Sequence, residues 1–361
     1  MKSNKDKQTR KADIGGQAVM EGVMMRSQTA TAVTVRRPDG TMVTKLSPFT
    51  PLKEKHPWMG KPFLRGVVNM CMMLYYGMNT LEDSTKMLGI MDEEPTKFEK
   101  WLAKKLGKGV DKIVMGFAII LAVVLSVALF IALPAGVEKL LKSSGMSPVG
   151  YTLLSGLTKI LILVGYMIFC GCIPDVRRTF QYHGAEHKSV HCNEAGLQLT
   201  PENAKQFSCL HPRCGTAFLL IVFMISILIF LIMNITLLKP VNNYFLRFFA
   251  HLVMLPVVAG VSYEVLMGLA HSESRIANIL RWPGMQMQRL TTREPDESML
   301  ECAIVSINIV MNGLPEHAEK TPEGWVILHD YKESEAGYIP PVAEEAENDN
   351  VSASTEREPA E

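Results

Sequence analysis

The run IVMGFAIILAVVLSVALFIAL, residues 113–133, carries no charge, and its reading decides the fold. A helix rises about 1.5 Å per residue, so about 20 apolar residues cross the hydrocarbon core of a bilayer. A helix of that length in water needs a polar face, and this run has none. Residues 216–238 form another such run, with Asn234 as the most polar member. Residues 151–173 are apolar except for Lys159, and residues 245–270 carry Arg247, His251, Pro256 and Glu264. Lys159 and Arg247 lie near span ends, where long side chains reach the headgroups. Glu264 is deeper and followed by Val265, Leu266 and Met267, so it has to face protein or a wet cavity. The expectation is an α-helical polytopic membrane protein with about four transmembrane helices. Residues 63–78 read as interfacial or re-entrant, because of Arg65 and the glycines.

Charge orients these spans. Lys97, Lys100, Lys104, Lys105, Lys108 and Lys112 precede the first, and Arg177, Arg178, Lys188, Lys205 and Arg213 lie between the second and third. Arg275, Arg281, Arg289 and Arg293 follow the fourth, whereas the opposite loops hold only Lys139, Lys142 and Lys239. Basic residues stay inside, which puts both termini and the loop 174–215 in the cytoplasm of a multi-pass cell-membrane protein. The opening MKSNKDKQTRKAD lacks the apolar stretch of a signal peptide.

The chain has 361 residues, 48% of them hydrophobic, and a net charge of +1, which gives no basis for a nucleic-acid partner. Its seven cysteines form no secreted-type framework and are expected to be reduced. Outside the membrane domain, 113–270, three regions stand out. Residues 1–112 hold the glycine-rich stretch GGQAVMEGVMMRS (15–27), then TATAVTVRR, a PDG turn and TMVTKL, which alternate as a β-hairpin does. Residues 271–314 contain a helix, with a cap near Asp296 and apolar Leu300, Ala303, Ile304, Ile307 and Val310 at helical spacing. Residues 315–361 read as a largely disordered acidic tail.

The central loop carries the chemistry. In YHGAEHKSVHC (182–192), His183 and His187 are four apart on one helical face, His191 extends it, and Glu186 lies beside them. This is the H-x-x-E-H order, in which two imidazoles bind a metal and the glutamate acts as general base. A divalent metal, zinc first among them, is the expected cofactor, with His183, His187 and Glu264 as ligands. Glu186 and Arg213 are the catalytic candidates, Arg213 by holding a substrate anion or an oxyanion. A second cluster, Cys209, His211 and Cys214, with Cys192, is either a closed structural zinc site or a turn that opens the third span. Simpler readings stand beside these. The histidine helix is a solvated face or touches lipid phosphate; Glu264 pairs with Lys159 or His251; Glu21 and Arg26 bind an anion or brace a tight loop.

GGQAVMEGVMMRS (15–27), YHGAEHK (182–188), HPRCGT (211–216), SYE (262–264) and LTTREPD (290–296) occur in this order. With them the chain resembles the bacterial YqhQ-like membrane proteins, the domain of unknown function 1385 family, over residues 15–312. The resemblance implies a membrane protein of a group labelled as metal-dependent enzymes, with no established reaction. His183, Glu186, His187, His211, Arg213, Cys214 and Glu264 occupy motif positions of the family, whereas His191, Cys192 and Cys209 do not.

Three functions follow as expectations. The first is a metal-dependent hydrolase acting on an unidentified substrate at the cytoplasmic membrane face. The second is a non-enzymatic scaffold or assembly factor that offers a cytoplasmic platform to a protein partner. The third is a transporter with Glu264, Lys159 and His251 as a polar track; the lack of inverted repeats argues against it in a monomer, and a homo-oligomer reopens it. The lipid bilayer is a partner in all three.

Overall fold

The computed structural model describes residues 14–89 and 110–335, apart from 240, 242, 271, 273 and 317. Strands β1 Gly15–Val19, β2 Gly22–Arg26, β3 Ala30–Arg36 and β4 Met42–Pro48 form an antiparallel meander. The expected hairpin is β3–β4, with Arg36 opposite Met42. In its turn Asp39 Oδ1 accepts from the Thr41 N–H and hydroxyl at 2.9 and 2.6 Å, and Gly40 takes φ +89°. The glycine-rich stretch, read as a loop, is itself the hairpin β1–β2, with Met20 and Glu21 as its turn. Gly22 lies against the Thr34 carbonyl so closely that no side chain fits there.

Helix α1, Leu64–Met87, follows the sheet and is longer than the apolar stretch that suggested it. Val110–Val127 (α2) runs through a π-helical turn, Ala128–Ala132, into α3, Leu133–Ser143. Then come α4 Pro148–Cys170, α5 Pro174–Ala195, the short α6 Pro201–Lys205, α7 Gly215–Ile235, α8 Tyr244–Ala270, α9 Arg275–Thr291 and α10 Glu297–Asn312. Among the described residues three stretches, Ile119–Leu141, Val149–Cys170 and Phe245–Leu269, are long and apolar enough to cross a membrane, and Leu219–Ile235 in α7 is a shorter apolar helix. α3 packs on α4, α4 on α7, α7 on α8, and α8 on α1. Phe117, Ile120, Leu161, Phe169, Phe245 and Val253 point outward, half or more exposed, a surface that suits hydrocarbon and not water.

The second layer is polar-chain chemistry around the sheet. Asp296 caps α10 by accepting from the Met299 N–H at 3.0 Å. α10 shows the expected apolar positions at helical spacing, yet it is buried from Met299 to Val310 apart from the half-buried Glu301. Ser306 Oγ donates to carbonyls of Val23 and Ala32 in the sheet, Cys302 Sγ to that of Thr34, and Asn308 Nδ2 to Ser334 Oγ at 2.9 Å. The core on this face joins Val23, Met25 and Ala32 to Leu300 and Ile307 of α10 and Tyr182 and Ala185 of α5. The other face packs Val19, Val33, Val35 and Val43 on Met87 at the end of α1.

One correction concerns the tail. Val326–Leu328 (β6) pairs antiparallel with β4, and Glu319–Lys320 (β5) pairs with β6, so the expected disordered segment begins inside the sheet. Val326 and Leu328 are both fully buried, and they cover the β4 edge that would otherwise be open. Residues 336–361 of that tail lie outside the described residues.

Candidate metal centre

α5 is a polar helix that is nonetheless buried along Tyr182–Cys192, apart from the half-buried His183 and His191. Pro174 opens it at the first turn and Gly196 closes it at φ +72°. Buried polar groups require partners, and the 209–214 loop together with the end of α9 supplies them.

His183 Nδ1 lies 2.8 Å from the Thr291 carbonyl, and His187 Nδ1 lies 2.5 Å from the Cys209 carbonyl. A carbonyl only accepts, so both Nδ1 atoms carry the proton and both Nε2 atoms keep a lone pair. His183 Nε2 is 3.3 Å from Cys214 Sγ. The candidate ligand atoms of His183, His187 and Cys214 all lie within 4.8 Å of one another. Backbone carbonyls that fix the tautomer of an imidazole are the usual outer support of a metal-binding histidine.

Glu186 Oε2 is 3.5 Å from His187 Nε2 and 4.0 Å from His183 Nε2. Glu186 is 6% exposed, and burial pushes its pKa up, against the pull of His183, His211 and a hydrogen bond from the Gly16 backbone. Gly16 is required here: a Cβ on it would sit 2.5 Å from Glu186 Cγ. β1 therefore presses backbone, without side chain, onto the glutamate. The neighbouring turn is tied to α5 as well, since Arg178 donates twice to Glu21 at 2.5 Å. Glu21 thus braces the hairpin, and Arg26 lies over the Phe49 ring, 4.9 Å from its centroid.

Next along the same face, His191 Nε2 donates to the Leu210 carbonyl at 3.0 Å. Its ring centroid is 4.5 Å from that of His211, which in turn is 5.6 Å from that of His187. Gln288 holds the His211 backbone from both sides, accepting from its N–H and donating to its carbonyl at 2.8 Å each. Burial lowers the pKa of both His191 and His211.

Two candidates lie elsewhere. Glu264, read as the third ligand, accepts from Arg65 at 2.8 and 2.6 Å and from the Phe63 N–H at 3.1 Å. A bidentate guanidinium satisfies this carboxylate, and it joins α8 to α1 instead of reaching the imidazoles. The donor grouped with His183 and His187 is Cys214. Arg213 pairs with Glu194, although it was assigned to a substrate anion. The second cluster is divided in the same way: Cys214 sits with His183, His211 with His191, and Cys192 is in the hydrophobic core. Cys209 Sγ turns to Glu294 at 3.4 Å, and burial pushes its thiol up to about 12. Gln288 had no signal of its own, and Gly16 and Thr291 were marked only by lying in the motifs 15–27 and 290–296, because their contributions are a brace, a bare backbone and a carbonyl.

Beside the centre, Cys209 and Leu210 also line an open cleft of about 430 Å³ whose walls carry Lys188, Arg289, Arg293 and Glu294.

The fold and the cluster define a class: a helical protein with membrane-competent helices and a buried imidazole, thiol and carboxylate group under a small sheet. The chain belongs to the family described as protein of unknown function DUF1385, whose model matches residues 61–313. It is similar to the uncharacterized protein YqhQ of Bacillus subtilis strain 168, with 32% identity over 317 residues, 85% of this chain and 95% of that protein. The family model includes the whole histidine cluster and α10, while β1–β4 precede it. No solved structure matches.

Proposed function

We propose that this chain is a metal-dependent hydrolase of the inner membrane face, with its metal held by His183, His187 and Cys214. The observation that carries the proposal is the pair of fixed tautomers, which leaves a lone pair on each Nε2, that of His183 3.3 Å from the Cys214 sulfur and that of His187 3.5 Å from a buried glutamate, with the three candidate ligand atoms within 4.8 Å of one another. Two imidazoles, one thiol and a nearby carboxylate fit zinc, and three protein ligands leave a position for water or substrate. A bound divalent ion supplies Lewis acidity there. The remaining work falls to the chain. Glu186 stands within reach of the same space, and its burial favours taking up a proton, as a general base requires. Gly16 and the Arg178–Glu21 pair keep that carboxylate in place. Arg289 and Arg293 line the adjoining cleft, in which Lys188 is paired with Glu294 at 2.6 Å, and the two guanidinium groups favour an anionic substrate.

Four crossings by α2–α3, α4, α7 and α8 would put the sheet, α5 and α9–α10 together on the cytoplasmic side, where the basic residues concentrate. The test is hydrolysis of a panel of acyl, phosphoryl and peptidyl substrates by detergent-purified protein loaded with zinc. Wild-type turnover with at least a hundredfold loss in Glu186→Gln supports the proposal. A Glu186→Gln variant as active as wild type, or no turnover above zinc in buffer, favours the inert scaffold.

A further inference from the structure

α9 carries more apolar surface than the protein covers. Its buried side is Ala277, Gly284, Met287, Gln288 and Thr291, and the helix packs on α7. Ile276, Ile279 and Trp282 lie outside that side and are 71%, 69% and 63% exposed. At 3.6 residues per turn these three share one arc of the helix, and Arg289 follows Trp282 on the same side, two turns and about 10 Å further on. α9 begins after a link of only four residues from α8, which reaches at most about 17 Å, so its start stays near the end of that apolar helix. Tryptophan and arginine beside an apolar face suit the headgroup boundary of a bilayer. At its far end α9 reaches the cleft of about 430 Å³. There Lys188 and Glu294 neutralise each other at 2.6 Å, whereas the exposed Arg289 and Arg293 guanidinium groups have no ion pair or hydrogen bond among the described residues.

We propose that the outer side of α9 and this cleft together bind a phospholipid of net negative charge from the inner leaflet. Its phosphate lies between Arg289 and Arg293, and its acyl chains run along Ile279 and Trp282. A basic cleft alone takes any anion, and an apolar arc alone takes any apolar partner. Both on one helix, about 10 Å apart, fit an amphiphile with a charged head. Guanidinium forks match phosphate oxygens, which narrows the head to a phosphate ester. An acidic protein segment would use the arginines and leave Ile279 and Trp282 uncovered. The cleft wall includes Cys209, whose carbonyl fixes His187, and Thr292, next to the Thr291 carbonyl that fixes His183. A lipid head bound there lies beside the proposed metal position. The inference deepens the hydrolase reading by naming its substrate class, and it rests on that reading's placement of the cleft at the inner membrane face. Binding itself needs neither metal nor turnover.

Native mass spectrometry of the full-length, metal-free protein released from detergent reads this directly, with dioleoyl phosphatidylglycerol and dioleoyl phosphatidylcholine as probes. Wild type should hold one phosphatidylglycerol at least about tenfold more tightly than phosphatidylcholine, and the Arg289→Ala, Arg293→Ala variant should lose that preference. Ile279→Ser, Trp282→Ser should weaken retention of both lipids and keep the preference between them. Equal retention of the two lipids by wild type, or a preference that survives in the double arginine variant, overturns the site. Displacement of the lipid by an equal concentration of glycerol 3-phosphate makes it a site for soluble phosphates, and displacement by a hexaglutamate peptide makes it one for an acidic protein; either result overturns the lipid assignment. The hydrolase reading fails separately: lipid preference in a protein that turns over no substrate keeps the site and removes the enzyme, and turnover of a soluble substrate without lipid preference does the reverse. Circular dichroism of each variant confirms that it is folded, and Gln in place of Ala at Arg289 and Arg293 repeats the measurement if that variant fails to fold.

Discussion

Glu186 is the general base of the proposed hydrolase, and its setting has two measurable consequences. Burial raises its pKa above the ordinary carboxylate value, so at neutral pH the metal-free fold is penalised relative to the unfolded chain, in which the group ionises freely. The sign follows: a group raised on folding supports the fold at low pH and weighs against it once the pH exceeds its folded pKa. Glu186→Gln removes that cost, and the apoprotein variant should melt at or above the wild-type temperature at pH 7. A lower melting temperature would mean the carboxylate is structural. Gly16→Ala acts in the opposite sense, because its Cβ would press on Glu186 Cγ at 2.5 Å. Overpacking of this kind costs about 1–3 kcal/mol, read as a fall in melting temperature with weaker metal retention.

At the scale of elements, three pieces converge on α5: the 209–214 loop, the end of α9 and the first β-hairpin. Gln288 on α9 is the hinge of this arrangement. Gln288→Ala strands a buried N–H and a buried carbonyl of His211, each at about 1–3 kcal/mol, and should lower both thermal stability and metal content. Glu264→Gln should leave metal content unchanged, because its carboxylate belongs to the Arg65 clamp between α1 and α8. Loss of metal in that variant would restore it as a ligand. The same elements show what could be read from the chain. His183, Glu186 and His187 were visible because helical spacing is local and fixed at 3.6 residues per turn. Cys214 and Glu264 were interchangeable from the sequence, since only tertiary packing decides which of two distant donors meets the face. The β3–β4 hairpin was visible through its alternation and PDG turn. β1–β2 was not, because its glycines serve close packing and resemble those of a loop.

For the whole molecule, the apolar runs identified the helices that face outward, and the sheet edge explains why the expected tail begins later than composition suggested. Val326–Leu328 is too short to announce itself as a strand, and it becomes one only because β4 offers an open edge. Orientation is a separate matter that reporter fusions can decide. Alkaline phosphatase, which folds only outside the cytoplasm, should be active when fused after Ser144 and inactive after Gln198. The reverse pattern would turn the centre outward and remove the cytoplasmic assignment.

The central claim is that His183 and His187 hold a metal, and elemental analysis of the detergent-purified protein tests it most directly. The account predicts at least one equivalent of zinc or another divalent metal per chain, with less in the folded His183→Ala, His187→Ala variant. A folded wild-type protein that is metal-free, and remains so after dialysis against zinc, would contradict it.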